Sequence, residues 1–398
     1  MNILMLTLMY PHDQLEEVAA KAKDKLQNQI NNYQRAFVEG IRSNLAKDEK
    51  LAILNCLPVG IFPLQYRQLL LKSGWHDNHT IQQIGCINLP FLKQRGRAIS
   101  VAKAIQKWCA QDPANRTLLV YTQYLPYMQA IKKVKKQYPD LKSAVIVTDL
   151  PNEMGLSTGR KGILKKIESV MGRRSVELLR QMNGFVLLTR QMANALQIQH
   201  KPQEVIEGLI LSDVQLPLSN AHAKPAFLYT GTLESSLGIK EMLDAFEQMP
   251  EYDLRICGHG NMTEQIQDYA KRCSNIYFYG FVPQKEALVM QASATALINP
   301  RQPSGVFTRY SFPSKTLEYM RAGKPVLCCK LEGIPADYDP YLNYMQEGAQ
   351  GIIEAVRNLM SLSDQERNQM GEECREYVLQ HKNPVVQCKK LLALLRRL

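Results

Sequence analysis

Long apolar runs are absent from this chain of 398 residues, which contains no stretch of about 18 or more consecutive apolar residues. A helix that crosses a bilayer needs about 20 such residues, so no segment has the sequence typical of a membrane span. The start, MNILMLTLMYPHD, carries neither a basic leader nor a small-residue cleavage site of the kind found in secreted proteins. We therefore expect a cytoplasmic protein.

Paired cysteines are absent as well. The nine cysteines form no Cys-x-x-Cys and are scattered singly, apart from Cys328-Cys329. Several fall in apolar, strand-like segments, where a reduced thiol acts as a small apolar side chain, and this pattern argues against disulfides and structural zinc. His76 and His79 lack the helical spacing of a metal site and a third ligand. We expect them in a surface loop.

Acidic charge is scarce in the first half of the chain. Residues 1–216 hold 29 Lys and Arg against 17 Asp and Glu, whereas residues 217–398 hold 20 of each, so the first half carries the whole net charge of +12. Within residues 160–180 the pattern predicts a basic amphipathic helix. Such a helix suits an anionic membrane face or a solvated surface, and both interpretations stay open. No nucleic-acid-binding module is present, and we expect no nucleic-acid partner.

Apolar strands alternate with amphipathic helices, a pattern that predicts an α/β fold with parallel sheets. In the first half we predict strands at residues 2–9, 51–57, 118–122, 144–148, 184–188 and 204–206. Residues 15–45 predict one long helix or a broken pair. The alternation of strands and helices begins again at residue 227. We therefore predict that residues 212–224, which are rich in Pro, Ser and Ala, form an interdomain linker. The C-terminal part predicts helices near 350–360 and 364–379 and a last helix after Asn383-Pro384.

The segment 298–327 says most about chemistry. It predicts a strand, a Gly/Ser/Pro loop, a short helix and a second buried strand, which places a helix N-terminus at the carboxyl edge of a sheet. Arg301, Arg309 and Lys315 lie in or beside this loop, so we expect a phosphate or pyrophosphate there. Lys315 and Glu318 are three apart and share a helix face. A solvated Lys-Glu pair on a surface helix stays an open alternative.

These residues carry a resemblance to a known family. The motifs NPR at 299–301, FTRYSFPSK at 307–315, EYM at 318–320 and GKPV at 323–326 resemble the donor-site signature of group 1 glycosyltransferases, many of which build bacterial exopolysaccharide or capsule. FLYTGTL at 227–233, DLRICGHG at 253–260 and NIYFYGFV at 275–282 are similar to the family's donor-domain strands. The matches keep about 150 residues in register.

The resemblance implies the GT-B fold, two Rossmann-like domains that face each other across a cleft. Residues 1–216 would form the acceptor-binding domain. Residues 217–398 would bind a nucleotide-sugar donor, with a last helix that crosses back to the first domain or contacts a membrane. The implied activity is retaining transfer of a sugar, most often from UDP, to a glycan or lipid-linked acceptor. The implied location is cytoplasmic, with peripheral attachment to the inner membrane face left open.

The resemblance also implies which residues form the site. In the family the lysine at position 315 neutralises the diphosphate and the glutamate at position 318 holds the ribose. Lys315, Arg309 and Asp149 are the catalytic candidates, and Asp149 could equally be a turn or cap residue. Ser311 or Ser314 is expected to cap the short helix. The residues expected at the nucleotide sugar are Gly231, Thr232, Gly258, Phe281, Val282, Arg301, Gly305, Ser314, Lys315 and Glu318.

The chain departs from the family pattern at three positions. Relatives often have a second glutamate eight residues before the first, where this chain has Tyr310, and cationic residues where it has Thr232 and Leu237. These departures leave two alternatives: a GT-B subunit without activity that supports another transferase, and a nucleotide-sugar epimerase. The Asp-x-Asp at 337–339 lies between prolines and predicts a turn rather than a metal clamp. We therefore expect neither a metal nor another cofactor.

Overall fold

The computed structural model describes residues 1–24, 26–111, 115–150, 172–210, 224–304 and 307–398. They divide into two units, residues 1–209 with 384–398, and residues 210–383. The linker predicted at 212–224 and the basic helix predicted at 160–180 fall largely outside the described residues, so both stay predictions.

The first unit is built on an eight-stranded sheet with the order β10-β9-β8-β7-β1-β2-β5-β4. All neighbours in it are parallel except β4 and β5. A second, two-stranded antiparallel sheet pairs β3 with β6. The strands of this unit are β1 Asn2–Thr7, β2 Lys50–Asn55, β3 Leu70–Leu71, β4 Gly74–His76, β5 Ile81–Gln83, β6 Cys86–Ile87, β7 Arg116–Tyr121, β8 Lys142–Val147, β9 Gly184–Leu187 and β10 Gln203–Val205.

The central strands of the first sheet are buried along almost their whole length, because helices cover the faces of the sheet. The last helix of the chain, α14, belongs to this unit and packs on α2 so closely that a Cβ added to Gly40 would lie 2.3 Å from the carbonyl oxygen of Pro384. The helices are α1 Leu15–Lys21, α2 Asn28–Arg42, α3 Leu92–Gln111, α4 Leu125–Lys135, α5 described over 172–179, α6 Gln191–Leu196 and α14 Pro384–Arg396.

The second unit has one six-stranded parallel sheet, in the order β13-β12-β11-β14-β15-β16. Counted within the unit, this is the 3-2-1-4-5-6 order of a doubly wound nucleotide-binding fold. The strand order therefore reverses between β11 and β14. The strands are β11 Ala226–Thr232, β12 Asp253–His259, β13 Ile276–Gly280, β14 Ala296–Asn299, β15 Val326–Cys329 and β16 Asn343–Met345.

Seven helices are described around this sheet, and the core lies between them and the central strands. Phe227, Phe246, Tyr319 and Tyr338 are fully or almost fully buried there. Ser363 caps α13 through a reciprocal capping box with Glu366. The helices are α7 Ile239–Glu247, α8 Thr263–Arg272, α9 Gln284–Ser293, α10 Phe307–Tyr310, α11 Ser314–Arg321, α12 Gly348–Met360 and α13 Asp364–His381.

The structure confirms the α/β class and each strand predicted in the first half, while residues 15–45 form the broken pair α1 and α2 rather than one helix. The expectation of a surface loop at His76 is wrong, because His76 ends β4 and its Nδ1 lies 3.1 Å from Oδ2 of Asp13. Arg396, which ends α14, pairs with Glu49, and Arg397, which follows it, pairs with Glu204; both carboxylates belong to the same unit. No helix among the described residues has the length and apolar character needed to cross a bilayer.

Candidate active site

The candidate site lies where the strand order of the second sheet reverses, between β11 and β14. In open parallel sheets, the crevice beyond the carboxyl ends of the strands at such a point is where ligands bind. β11 and β14 border this point, and α11 begins shortly after β14. Side chains on α11 therefore lie at the edge of the sheet where a nucleotide is expected.

Buried side chains attach α11 to both strands. The hydroxyl of Tyr319 accepts a hydrogen bond from the backbone N–H of Thr230 at 2.8 Å and donates one to its carbonyl at 3.1 Å. Asn299 Nδ2, at the end of β14, donates to Oγ1 of Thr316 at 3.3 Å. Because Tyr319 and Thr316 are fully buried, the helix has one fixed rotational setting. That setting brings Lys315 and Glu318 to the edge of the sheet.

Lys315 and Glu318 form a forked ion pair that is mostly buried. Lys315 Nζ lies 3.0 Å from each carboxylate oxygen of Glu318, and the two side chains are 26% and 19% exposed. Glu318 Oε1 also accepts a hydrogen bond at 2.6 Å from Gln291 Nε2, which donates at 3.0 Å to Thr230 Oγ1 as well. Gln291 is fully buried. The pair is therefore integrated with the core, unlike a solvated surface pair.

The ends of β11 and β12 lie close to this pair. Burial raises the pKa of the Cys257 thiol to about 11, and the positive charge of Lys315 opposes that rise, which places the ammonium near the end of β12. The next residue, Gly258, has φ +148, and a Cβ there would lie 1.9 Å from the carbonyl oxygen of Gly231. Only glycine lets these strand ends approach so closely. Gly231 and the exposed Thr232 end β11 at the same edge.

Arg301 follows β14 and is largely buried. Its Nη2 donates to Ser311 Oγ at 2.6 Å, and its guanidinium lies near Tyr229. Burial lowers the pKa of Arg301 to about 10, and the nearby Tyr229 opposes this shift. The group therefore stays protonated at neutral pH. A buried guanidinium at a strand end is suited to an anionic ligand.

Two expectations about this loop need correction or qualification. Neither Ser311 nor Ser314 caps α11: Pro313 occupies the N-cap position without a side-chain hydrogen bond, Ser314 is the first helical residue, and the Ser311 hydroxyl contacts Arg301 instead. Arg309 lies on the short helix α10 and is 59% exposed, with Nε 2.8 Å from Oε2 of Glu332. The structure therefore joins Arg309 to Glu332, and its catalytic role stays a prediction.

The remaining candidates of the second unit lie further along the sheet edge. Phe281 follows β13, is 61% exposed, and contacts His259 edge-to-face at a centroid distance of 6.0 Å. Val282 is partly buried against the core. Gly305 lies outside the described residues. The strand β13 is at the margin of the sheet, two strands from the reversal point, so Phe281 and Val282 flank the site rather than form its centre.

Asp149 belongs to the first unit and follows β8. Burial raises the pKa of its carboxyl, and the hydrogen bond that Thr148 Oγ1 donates to Oδ2 at 3.2 Å opposes that rise. Its backbone carbonyl accepts from Gln123 Nε2 at 2.6 Å. A carboxyl that follows a buried strand and has a raised pKa can accept or hold a proton, but it also matches a turn residue. Its role stays a prediction.

The loop after β1 differs from a phosphate-binding turn. Three of its backbone N–H groups donate at 2.8 Å to side-chain oxygens, Leu8 to Gln34, Met9 to Asn55 and Tyr10 to Asn31. These internal acceptors occupy donors that a glycine-rich turn would direct at a phosphate. At these three positions the loop therefore has no free donor for a phosphate.

The Asp-x-Asp motif forms a turn, as predicted. A 3-10 turn spans Ala336–Tyr338, Asp337 Oδ2 accepts from Lys382 Nζ at 2.9 Å, and Asp339 Oδ1 accepts from the Tyr344 hydroxyl at 2.7 Å. Both carboxylates have structural partners. Within the part of the chain that the structure describes, no three His, Cys, Asp or Glu side chains gather in a metal-binding group.

Sequence reasoning missed three residues of the site: Gln291, Thr230 and Tyr319. Gln291 donates to Glu318 on α11, 27 residues away in the sequence. Thr230 on β11 donates to the hydroxyl of Tyr319 on α11, 89 residues away. A polar residue within the buried face of α9 was the only available signal for Gln291.

A comparison of sequences matches the second unit to a family. Residues 217–377, almost the whole second unit, match the sequence profile of the family described as glycosyl transferases group 1. No curated protein matches the chain by sequence.

Solved structures resemble the chain over its full length. Trehalose-6-phosphate synthase OtsA has a TM-score of 0.65 at 9% identity, and a sucrose-phosphate synthase from Thermosynechococcus elongatus has 0.63 at 13%. A lipopolysaccharide outer core galactosyltransferase, WaaB, has 0.59 at 14%. In each case the match covers 100% of this chain and 99% of the other. Identities this low establish the fold alone. Residues 217–377, less than half of the chain, match the group 1 glycosyltransferases, and the chain has the GT-B fold of two Rossmann-like domains.

Proposed function

We propose that this chain transfers a sugar from UDP, with retention of anomeric configuration, to a hydroxyl of a glycan or lipid-linked acceptor. Its family and fold support sugar transfer from a nucleotide donor. The choice of UDP is supported by one matched structure, a trehalose-6-phosphate protein from E. coli bound with UDP-2-fluoro glucose, with a TM-score of 0.62 at 9% identity.

The observation that carries the proposal is the Lys315–Glu318 pair at the reversal point of the second sheet. With the donor bound, Lys315 would turn its ammonium to the diphosphate, and Glu318 would accept hydrogen bonds from the ribose hydroxyls. Gln291 would keep the Glu318 carboxylate in place while its ion pair with Lys315 is exchanged. One helix would thus bind both the sugar and the phosphates of the nucleotide.

The chemical step is loss of UDP from the anomeric carbon as the acceptor hydroxyl bonds to the same face. Negative charge then grows on the β-phosphate, and preorganised cations and backbone N–H groups stabilise it. Lys315, Arg301 and the backbone N–H groups of Ser314 and Lys315 at the start of α11 are the candidates. The proton of the hydroxyl passes to the leaving diphosphate, so this route requires no protein nucleophile. We also propose that these cations replace a metal ion.

A thermal-shift and transfer assay tests the proposal. UDP and UDP-sugars should stabilise the protein, by ~2.7 kcal/mol for a ligand at ~100 times its dissociation constant. Lys315→Ala should lose most of the turnover, and Glu318→Ala should mainly weaken nucleotide binding. Lys271→Ala is a matched control, because Lys271 forms another i,i+3 pair at 3.3 Å on the exposed face of α8.

The outcomes separate the alternatives. Stabilisation by nucleotide without donor hydrolysis or transfer would favour a GT-B subunit that supports another transferase. Isomerisation of the sugar without an acceptor would favour an epimerase. If no nucleotide or nucleotide sugar stabilises the wild-type protein, the proposal is wrong.

A further inference from the structure

The strand β13 lies at the margin of the second sheet, next to β12. The N–H of Leu254 on β12 donates to the carbonyl of Asn275 at 2.8 Å, so the alternation of a parallel ladder turns the backbone of Tyr277 toward β12 and that of Phe278 outward. In the part of the chain that the structure describes, no backbone hydrogen bond from outside the sheet reaches residues 277–280. An open row of donors and acceptors of this kind is a template for another strand.

The other margins of the two large sheets are shorter and more polar than β13. The strands β4, β10 and β16 have three residues each, and each includes a polar side chain, His76, Glu204 and Asn343 respectively. By contrast, β13 has five residues, Ile-Tyr-Phe-Tyr-Gly, without a charge or a proline. Monomeric proteins usually avoid such an edge, because it pairs readily with another chain. The margin at β13 is therefore the one best suited to a partner strand.

Two tyrosines on β13 share one exposed face. Tyr277 is 41% exposed and Tyr279 is 48% exposed, and residues two apart on a strand point to the same face of a sheet. Phe278 lies between them and points to the other face, where it packs against the core. The margin of the sheet therefore presents the outward backbone of Phe278 with a tyrosine ring on either side of it.

A twofold axis through Phe278 makes this strand complementary to itself. In an antiparallel pair, Phe278 would face Phe278 of the second copy, and each would donate its outward N–H to the other's carbonyl. Tyr277 would face Tyr279 of the second copy, and Tyr279 would face its Tyr277. The same axis places Ile276 opposite Gly280 of the second copy, where the absence of a side chain leaves room for the isoleucine. Each contact thus occurs twice, as a twofold interface requires.

We propose that β13 pairs with β13 of a second copy of this chain, so that the two parallel sheets join into one continuous sheet. The outward backbone groups select a strand as the partner, and aromatic pairs across the antiparallel ladder stabilise it. Residues 217–398 hold 20 Lys and Arg against 20 Asp and Glu, so no net charge of this half opposes the approach of its copy. The pairing requires neither nucleotide nor catalysis, and its test is therefore independent of the proposed activity.

Analytical ultracentrifugation of the full chain tests this pairing. At ~50 μM the wild type should sediment with twice the mass of one chain, which is 45.3 kDa, and dilution should return it to a single copy. Tyr277→Lys with Tyr279→Lys should raise the dissociation constant of the dimer at least ~10-fold, because like charges would face each other across the ladder. Tyr277→Lys with Tyr279→Glu should restore the dimer, since each lysine would face a glutamate of the second copy.

These two variants differ at one exposed residue, so both should unfold at the wild-type temperature. Trp75→Lys is a matched control, because Trp75 is a 54% exposed aromatic residue on β4, at the margin of the first sheet. This control should dimerise as the wild type does. Amide hydrogen exchange gives a second measurement: the N–H of Phe278 should exchange more slowly in the concentrated wild type than after dilution, and the double-lysine variant should lose that difference.

Three results would each overturn the proposal. The first is a wild type that stays a single copy at the higher concentration. The second is a dimer that persists unchanged in the double-lysine variant, which would place the contact elsewhere on the chain. The third is a Lys/Glu variant that stays a single copy while it remains folded, because the antiparallel register brings its opposite charges together.

Discussion

Replacing the buried Gln291 by glutamate should make the stability of the second unit depend on pH. The wild-type amide donates from Nε2 to Glu318 Oε1 at 2.6 Å. In Gln291→Glu a second carboxylate takes the place of that donor. Two carboxylates at that separation repel by ~6 kcal/mol at an effective dielectric constant of about 20, so folding requires that one of them hold a proton.

The cost follows from the ordinary pKa of glutamate. Protonating a group of pKa about 4.3 at pH 7 costs ~3.7 kcal/mol, which sets an upper limit because Lys315 and partial solvent exposure offset the repulsion. The shared proton raises the folded-state pKa above the unfolded value, so the folded state binds more protons. The penalty is therefore absent below about pH 4 and grows as pH rises. We expect ~3 kcal/mol less stability than the wild type at pH 7.

Urea unfolding at several pH values measures this effect. Gln106→Glu is a suitable control, since the partly exposed Gln106 donates to the neutral Gln137 side chain at 2.8 Å. Gln106→Glu should follow the wild-type profile. If Gln291→Glu follows it as well, the amide does not support Glu318 in the way described.

Two further changes test separate parts of the structure. Gly258→Ala should destabilise the second unit by ~2–4 kcal/mol, because its Cβ would lie 1.9 Å from a backbone oxygen. Gly280 also has a positive φ, but a Cβ there would meet no atom within 4 Å, so Gly280→Ala should cost only ~1 kcal/mol. Equal urea midpoints for the two variants would contradict the close contact of β11 and β12. Burial, with the charge of Arg97 nearby, lowers the pKa of Lys93 to about 8. Between about pH 8 and 10.5 the unfolded chain therefore holds a proton on this lysine that the folded state has lost, and the free energy of unfolding rises with pH. Lys93→Met should remove that contribution, so its unfolding free energy should depend less on pH than that of the wild type. The same dependence of the unfolding free energy on pH in both proteins would show that Lys93 is not buried as a cation.

Much of the fold could be predicted from the sequence because its strands are apolar and regularly spaced. β1, β2, β7 and β8 are each six residues long with apolar positions in succession, a pattern that a single sequence displays. The strands β3 and β6 have two residues each, too few for any period to appear. The antiparallel pairing of β3 with β6 was therefore not predicted.

The candidate site could be predicted only in part, for a similar reason. Lys315 and Glu318 are three residues apart, so helix geometry alone puts them together. Gln291 reaches Glu318 across 27 residues, and only the folded sheet brings them into contact. The cap of α11 was assigned wrongly because the Ser311 hydroxyl contacts Arg301, a tertiary contact that competes with local capping.

The central claim, that Lys315 binds the diphosphate and Glu318 the ribose of one nucleotide, can be tested by titration calorimetry with UDP and uridine. Lys315→Ala should weaken UDP binding at least ten-fold and leave uridine binding unchanged, because uridine has no phosphate. Glu318→Ala should weaken the binding of both. Wild-type affinity for UDP in Lys315→Ala, or an equal loss of UDP and uridine in that variant, would contradict the account.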